Sequence, residues 1–271
     1  GKPDTSIRLT IMRDGVDAPF EVTLKRALIR VTSVKHRMLD KGYGYIRITQ
    51  FQVHTGEEVV KALAKMHKEA DGTLNGIVLD LRNNPGGVLQ AAAEVVDAFI
   101  TQGMIVYTKG RLDNAAMNFH ASPSDPSKGA PLIVLINEGS ASASEIVSGA
   151  LQDHKRGIIM GTQSFGKGSV QTILPLGSDR GLKLTTALYY TPSGRSIQAQ
   201  GITPDIEVKP AHLTPLEAKL QIKEADLNGH LESGQEDPKG KAQAQQNALS
   251  ESDYQLFEAL SLLKGLHILQ K

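Results

Sequence analysis

The sequence contains no cysteine. That excludes a disulfide framework, a thiolate metal site and a cysteine nucleophile. It leaves the redox compartment open, because a cysteine-free chain suits either environment. Long hydrophobic runs are also missing. The apolar stretches, "PLIVLI" among them, have the length of core strands, far short of the roughly 20 residues a membrane helix needs. Nor does charge of one sign dominate: 30 basic and 29 acidic residues give a net charge of +1, so nothing calls for nucleic acid or an anionic membrane as partner. The eight histidines are scattered without an HExxH motif or paired ligand spacing, so no metal site is expected. A GxSxG elbow, a phosphate loop and a dinucleotide fingerprint are all absent, and no repeat of solenoid period occurs.

What is present is 271 residues, 40% of them hydrophobic, enough for one large core with an appendage or for two domains. "SIRLTIMRDG" and "PFEVTLKRALI" predict two alternating strands joined by a turn at Asp14-Gly15. A domain rarely opens this way, and no charged leader precedes an apolar stretch. The expectation is a piece, or the mature product, of a longer precursor. Strand–turn–helix units then recur. "YGYIRITQF" (43–51) reads as a strand, and residues 55–70 as a helix with Thr55 and Glu58 in capping-box positions. "NGIVLDLRNNPGG" is a strand running into a glycine turn, followed by a helix over "VLQAAAEVVDAFI" and a strand over "MIVYTKG". Residues 119–131 read as a surface loop, "LIVLINEG" as a buried strand and "ASEIVSGALQDHK" as a helix. Further strands with glycine breaks lead to "GITPDIEVKP". This order predicts an α/β core with largely parallel pairing. Beyond residue 210 come two helical patterns around a charged middle. The last, bearing Tyr254, Leu256, Phe257, Leu260, Leu263 and Leu266, is expected to pack on the core or on another subunit.

Three stretches can carry chemistry. In "NEGSASASEIVSG" (137–149) a buried strand delivers the chain to a small-residue turn with a helix beginning at once. Helix N-termini present unpaired N–H groups and partial positive charge, so the N–H of Ala143, after Ser142, can face an oxyanion. The competing use of these serines is ordinary: Ser140 or Ser144 capping the helix. In "SFGKGSVQ" (164–171) Lys167 lies between glycines. It is either a solvated lysine or a general base. As a base, its ordinary pKa of roughly 10.4 has to fall toward about 7–8 by burial, a penalty of ~4 kcal/mol on the charged form. Gln171, four residues on, shares a face with Lys167 in a regular strand and can orient the amine without adding charge. In "LDLRNNPGG" (79–87), Gly86 and Gly87 either serve a tight turn or bring a second N–H donor to an oxyanion. His154 lies about 15 Å along the helix from the serine turn, too far to act as base.

Together "SASASEI", "FGKGSVQ", "LDLRNNPGG" and "LKLTTALYYTPSGRSIQ" resemble, in order, the carboxyl-terminal processing proteases, with the resemblance covering about residues 1–208. It implies a crotonase-like (ββα-type) protease core at 31–210, remnant strands of a PDZ domain at 1–30, and a helical C-terminal segment at 211–271 that mediates oligomerisation. It also implies a Ser142–Lys167 dyad, since the family's lysine follows its nucleophile by about 25 residues and 167 − 142 = 25 selects Ser142. Gln171 would assist the lysine, and Ala143 with Gly86 or Gly87 would form the oxyanion hole. The implied activity is serine endopeptidase cleavage near the C-termini of proteins, without metal or cofactor. Protein or peptide substrates, an adaptor or activator protein and a homo-oligomer are the implied partners, and the bacterial periplasm the implied location. The loop by which a PDZ domain grips a C-terminal carboxylate is missing from this sequence. The alternatives are a resting or idle peptide-binding scaffold that needs an activator, and an acyl-CoA enzyme, which has no use for a Ser–Lys pair.

Overall fold

Period-two alternation in the first thirty residues forms the strand pair it predicts. β1 (Ser6–Ile11) runs antiparallel to β2 (Phe20–Lys25), with Ile7 opposite Leu24 and Leu9 opposite Val22. The computed structural model describes residues 1–27, 32–110, 116–177, 179–211 and 249–269. It divides into two units, Gly1–Thr32, which holds this pair, and Ser33–Lys271. The first tail pattern and the charged middle lie outside the described residues.

The second unit begins with β3 (Val34–Asp40), β4 (Tyr43–Ile48), α1 (Thr55–Glu69), β5 (Gly76–Asp80), α2 (Leu89–Asp97), β6 (Met104–Gly110) and β7 (Asn118–His120). It continues through β8 (Leu132–Ile136), α3 (Ala143–Asp153), β9 (Ile158–Gly161), β10 (Ser169–Pro175), β11 (Gly181–Tyr190), β12 (Ile206–Glu207) and α4 (Tyr254–Leu269). Six strands form one sheet in the order β12-β9-β8-β5-β4-β3. All its pairings are parallel except β3 with β4.

Both faces of that sheet are covered, which is why β5 and β8 are apolar without alternation and buried at every position. Ile77, Leu79, Val134 and Ile136 meet α1, α2 and α3 through Leu63, Val95, Val147 and their neighbours. Val78, Ile133 and Leu135 face the opposite way, against Leu256, Ala259, Leu260 and Leu263 of α4. The terminal pattern therefore packs on the core of its own unit.

The largely parallel pairing holds for this sheet only. β10, β11, β6 and β7 form a second, antiparallel sheet in that order. Residues 176–180, which join β10 to β11, are too few for the crossover that parallel strands require. The expected surface loop at 119–131 likewise begins inside β7, and its Ser127 and Ala130 are buried.

The capping box expected at Thr55 does not form. His54 is the N-cap and makes no side-chain bond there. The Thr55 hydroxyl accepts Gln52 N–H at 2.8 Å and lies 2.9 Å from Ser33 Oγ, while Glu58 takes the Ser33 hydroxyl at 3.0 Å. Ser33 draws both box residues toward β3 and away from the helix start.

Candidate active site

At the C-terminal end of β8 the chain turns sharply into α3, and Ser142 occupies the turn. Its backbone is left-handed, φ 57° and ψ −111°, a conformation costly for any residue with a side chain. The helix starts at the next residue, so Ser142 is the N-cap, and neither Ser140 nor Ser144 caps. Both flanking serines are fully buried and tie the turn to the exit of β5. Ser140 Oγ donates to Leu81 C=O at 2.8 Å and accepts Asn137 N–H at 3.0 Å. Ser144 Oγ donates to Asn84 C=O at 2.9 Å. With its neighbours facing inward, Ser142 is the half-exposed serine of the three.

Glu145, one turn into α3, organises the site, although the sequence drew attention only to the serines beside it. Its side chain is completely buried and accepts four hydrogen bonds. Oε2 takes the main-chain N–H of Ser142 and of Lys167, both at 2.8 Å. Oε1 takes Gly166 N–H and the Ser164 hydroxyl, both at 2.6 Å. One carboxylate thus grips the serine turn and the FGKG loop at once, and Phe165 N–H adds a bond to Ser140 C=O at 3.0 Å. The signal for this role was present: Ser142-x-x-Glu145 is itself a capping-box pattern.

Lys167 is half-buried beside the turn. Its Nζ enters no hydrogen bond or ion pair among the described residues, so no bond joins it to Ser142 Oγ. The expected partnership with Gln171 is absent for a geometric reason. Lys167 precedes β10, which begins only at Ser169, so the strand alternation that would put residues 167 and 171 on one face does not extend back to the lysine. Gln171 is exposed and makes no side-chain hydrogen bond.

The NNPGG turn lies directly against the serine. A Cβ added to Gly86, at φ +99°, would fall 2.7 Å from Ala141 O, 2.8 Å from Ser142 Cβ and 3.0 Å from Ala143 N. The missing side chain is what lets the two turns touch. The Gly86 N–H is already donated to Asn84 Oδ1 at 2.9 Å, so Gly86 supplies space and not a donor. Gly87 is held by Phe51, which gives its N–H to Gly86 C=O and receives that of Val88, both at 2.9 Å. Among the described residues the N–H groups of Gly87 and Ala143 donate to nothing.

The root of this turn is a buried ionic cluster. Asp80, at the end of β5, is fully buried. Burial pushes its carboxyl up, but Arg82, Arg47 and the Tyr45 hydroxyl outweigh that and hold it below the usual carboxylate range. Tyr45, buried and next to this carboxylate, is pushed up to about 12.

The profile of Peptidase family S41 matches residues 42–208. A carboxy-terminal-processing protease of Bartonella bacilliformis is 49% identical over 272 aligned positions, which cover 98% of this chain and 62% of that protein. A carboxyl-terminal-processing protease of Synechocystis is 38% identical over 209 positions, 76% of this chain and 48% of its own length. Among solved structures, a photosystem II D1 C-terminal processing protease superposes with a TM-score of 0.59 at 30% identity, covering 77% of this chain and 57% of that one. The chain thus spans about half to three-fifths of the length of these relatives. With the profile covering well over half of its residues, the chain belongs to peptidase family S41.

Proposed function

We propose that the protein is a serine endopeptidase that cleaves protein substrates near their C-termini through a Ser142–Lys167 dyad. The observation that carries the proposal is the Glu145 carboxylate, which accepts the main-chain N–H of both residues at 2.8 Å. Glu145 binds Lys167 by its backbone and leaves Nζ without a carboxylate partner. A carboxylate at Nζ would favour the charged form, whereas a general base has to be neutral.

Neutral Lys167 takes the Ser142 proton as Oγ attacks the scissile carbonyl. The resulting oxyanion accepts hydrogen bonds from the N–H of Ala143, at the start of α3, and from that of Gly87, in the NNPGG turn. Protonated Lys167 then gives its proton to the departing amine, and water hydrolyses the acyl-enzyme. Assistance of the lysine by Gln171 rests on the family resemblance. Cleavage near C-termini is supported by the names of the relatives. The crotonase-like core, the PDZ origin of residues 1–30, the periplasmic location, the adaptor and the homo-oligomer rest on the family resemblance.

A second reading is favoured by one observation, the missing bond between Lys167 Nζ and Ser142 Oγ: a resting state that a partner or substrate must close. Labelling by a fluorophosphonate and peptide hydrolysis decide between them. Both are expected in the wild type and lost in Ser142→Ala, with hydrolysis falling several orders of magnitude in Lys167→Ala. Near-wild-type hydrolysis by Lys167→Ala refutes the dyad. Labelling only after a protein substrate is added identifies the resting state.

A further inference from the structure

Arg82 stands four residues before Gly86, where β5 gives way to the NNPGG turn. Its guanidinium is 11% exposed and fully engaged. Nε and Nη2 bind Asp80 at 2.9 and 2.7 Å, Nη1 and Nη2 bind Asp253 at 2.8 and 2.7 Å, and Nη1 also reaches Gln255 Oε1 at 3.0 Å. Asp253 immediately precedes α4 and accepts Leu256 N–H at 3.1 Å, capping that helix. Gln255 continues to Val208 C=O at 2.6 Å. Arg47 braces the other side, donating to Asp80 at 2.9 Å and to the Arg82 carbonyl at 3.3 Å.

A fork of five donors cannot shift without breaking several charged bonds at once. Its backbone leads directly into the turn. Asn83 N–H binds Asn137 Oδ1 at 2.7 Å, and Asn84 receives the Ala141 N–H and Ser144 hydroxyl at its carbonyl, both at 2.9 Å. The packing of α4 on the sheet does not need this clasp, because Leu256, Ala259, Leu260 and Leu263 already supply it.

We propose that Arg82 is a positioning residue for the oxyanion turn, and that α4 clamps it through Asp253. The terminal helix then contributes to transition-state stabilisation from 171 residues away in sequence. This rests on the peptidase reading above and assigns α4 a part in it.

The test uses Asp253→Asn, which keeps an oxygen to cap α4 but removes the charge facing Arg82. Per titrated Ser142, kcat is expected to fall about tenfold with KM within about twofold, a smaller loss than deleting an oxyanion donor outright. Affinity for a peptide boronate, whose tetrahedral adduct fills the oxyanion hole, falls about tenfold as well, while affinity for the product peptide holds. The pH profile keeps its shape, and Asp253→Glu restores part of kcat. Gln255→Met, which removes one bond to Arg82 together with the bond to Val208 C=O, gives a smaller drop of the same kind if Asp253→Asn folds poorly. Lys264→Met is the control, since it cuts the ion pair of α4 with Asp40 (2.6 Å) far from the turn. It should lower stability and leave kcat per titrated site unchanged.

Wild-type kcat in Asp253→Asn, equal losses of boronate and product-peptide affinity, or a matching kcat loss in Lys264→Met overturns the proposal. Failure of the wild type itself to label or hydrolyse would refute the peptidase reading, and this inference with it.

Discussion

Replacing Glu145 with Gln keeps the shape of the side chain and converts one acceptor into a donor. An amide nitrogen at the Oε2 position would strand the N–H groups of both Ser142 and Lys167. At the Oε1 position it strands one main-chain N–H, that of Gly166, and turns the Ser164 hydroxyl, which already accepts Ile202 N–H at 2.7 Å, away from its acceptor. The second orientation is therefore favoured. It leaves one buried N–H unpaired, at about 1–3 kcal/mol, and removes the charge from the remaining bonds, so the total comes to about 2–4 kcal/mol. For a chain of this size that is a fall in Tm of roughly 5–15 °C. Both reactive residues keep an acceptor, so turnover per titrated serine should fall about tenfold, well short of the loss on removing Ser142. Glu145→Ala removes all four acceptor contacts and should abolish labelling of Ser142. Urea unfolding, active-site titration and peptide hydrolysis measure the three quantities. A Glu145→Gln protein within about 0.5 kcal/mol of wild type, turning over at the wild-type rate, would refute the assigned role.

The two glycines of the turn should fail differently. In Gly86→Ala the new methyl meets the Ala141 carbonyl, Ser142 and Ala143 at φ +99°, so the serine turn is displaced and activity is lost along with stability; in Gly87→Ala it runs into the Phe51 backbone at φ +146°, away from the serine, so folding suffers first. Thermal melts beside active-site titration separate the two, and a Gly86→Ala protein that keeps wild-type turnover would refute the contact between the two turns. Acid should unfold the protein through Asp80. Its folded pKa lies below the unfolded value of about 3.9, so its contribution is present above about pH 4 and disappears as pH falls through the folded value. Asp80→Asn should cost about 3–5 kcal/mol at neutral pH and flatten the acid limb of a urea-derived stability profile; an unchanged limb would point to another carboxylate.

Much of the site was legible because its parts are short motifs with fixed local geometry. A strand, a small-residue turn and a helix bring Ser142 and Ala143 together from sequence alone, and the glycine pair marks a close approach. What was not legible depends on partners distant in the chain. The Thr55-x-x-Glu58 and Ser142-x-x-Glu145 stretches carry the same capping signature. Ser33 diverts the first, and the FGKG loop completes the second, and neither fact is written near the motif. The pairing of Lys167 with Gln171 assumed that the strand already runs through the lysine, whereas β10 begins two residues later. The antiparallel sheet was missed because apolar pattern alone does not tell which neighbour a strand will take. The clasp at Arg82 joins elements whose separation in sequence no local pattern spans.

Ser142 holds φ 57° and ψ −111° while carrying a side chain, a region where glycine alone is comfortable. The strain is worth about 1–3 kcal/mol and sits on the residue the proposed chemistry depends on. Selection for a more stable fold and selection for this hydroxyl therefore pull in opposite directions at one position. The practical consequence concerns inactive traps for capturing natural substrates. Ser142→Ala retains the strained backbone with its oxyanion donors in place, and so preserves the shape a substrate meets. Ser142→Gly gives a sturdier protein whose turn is free to relax away from that shape.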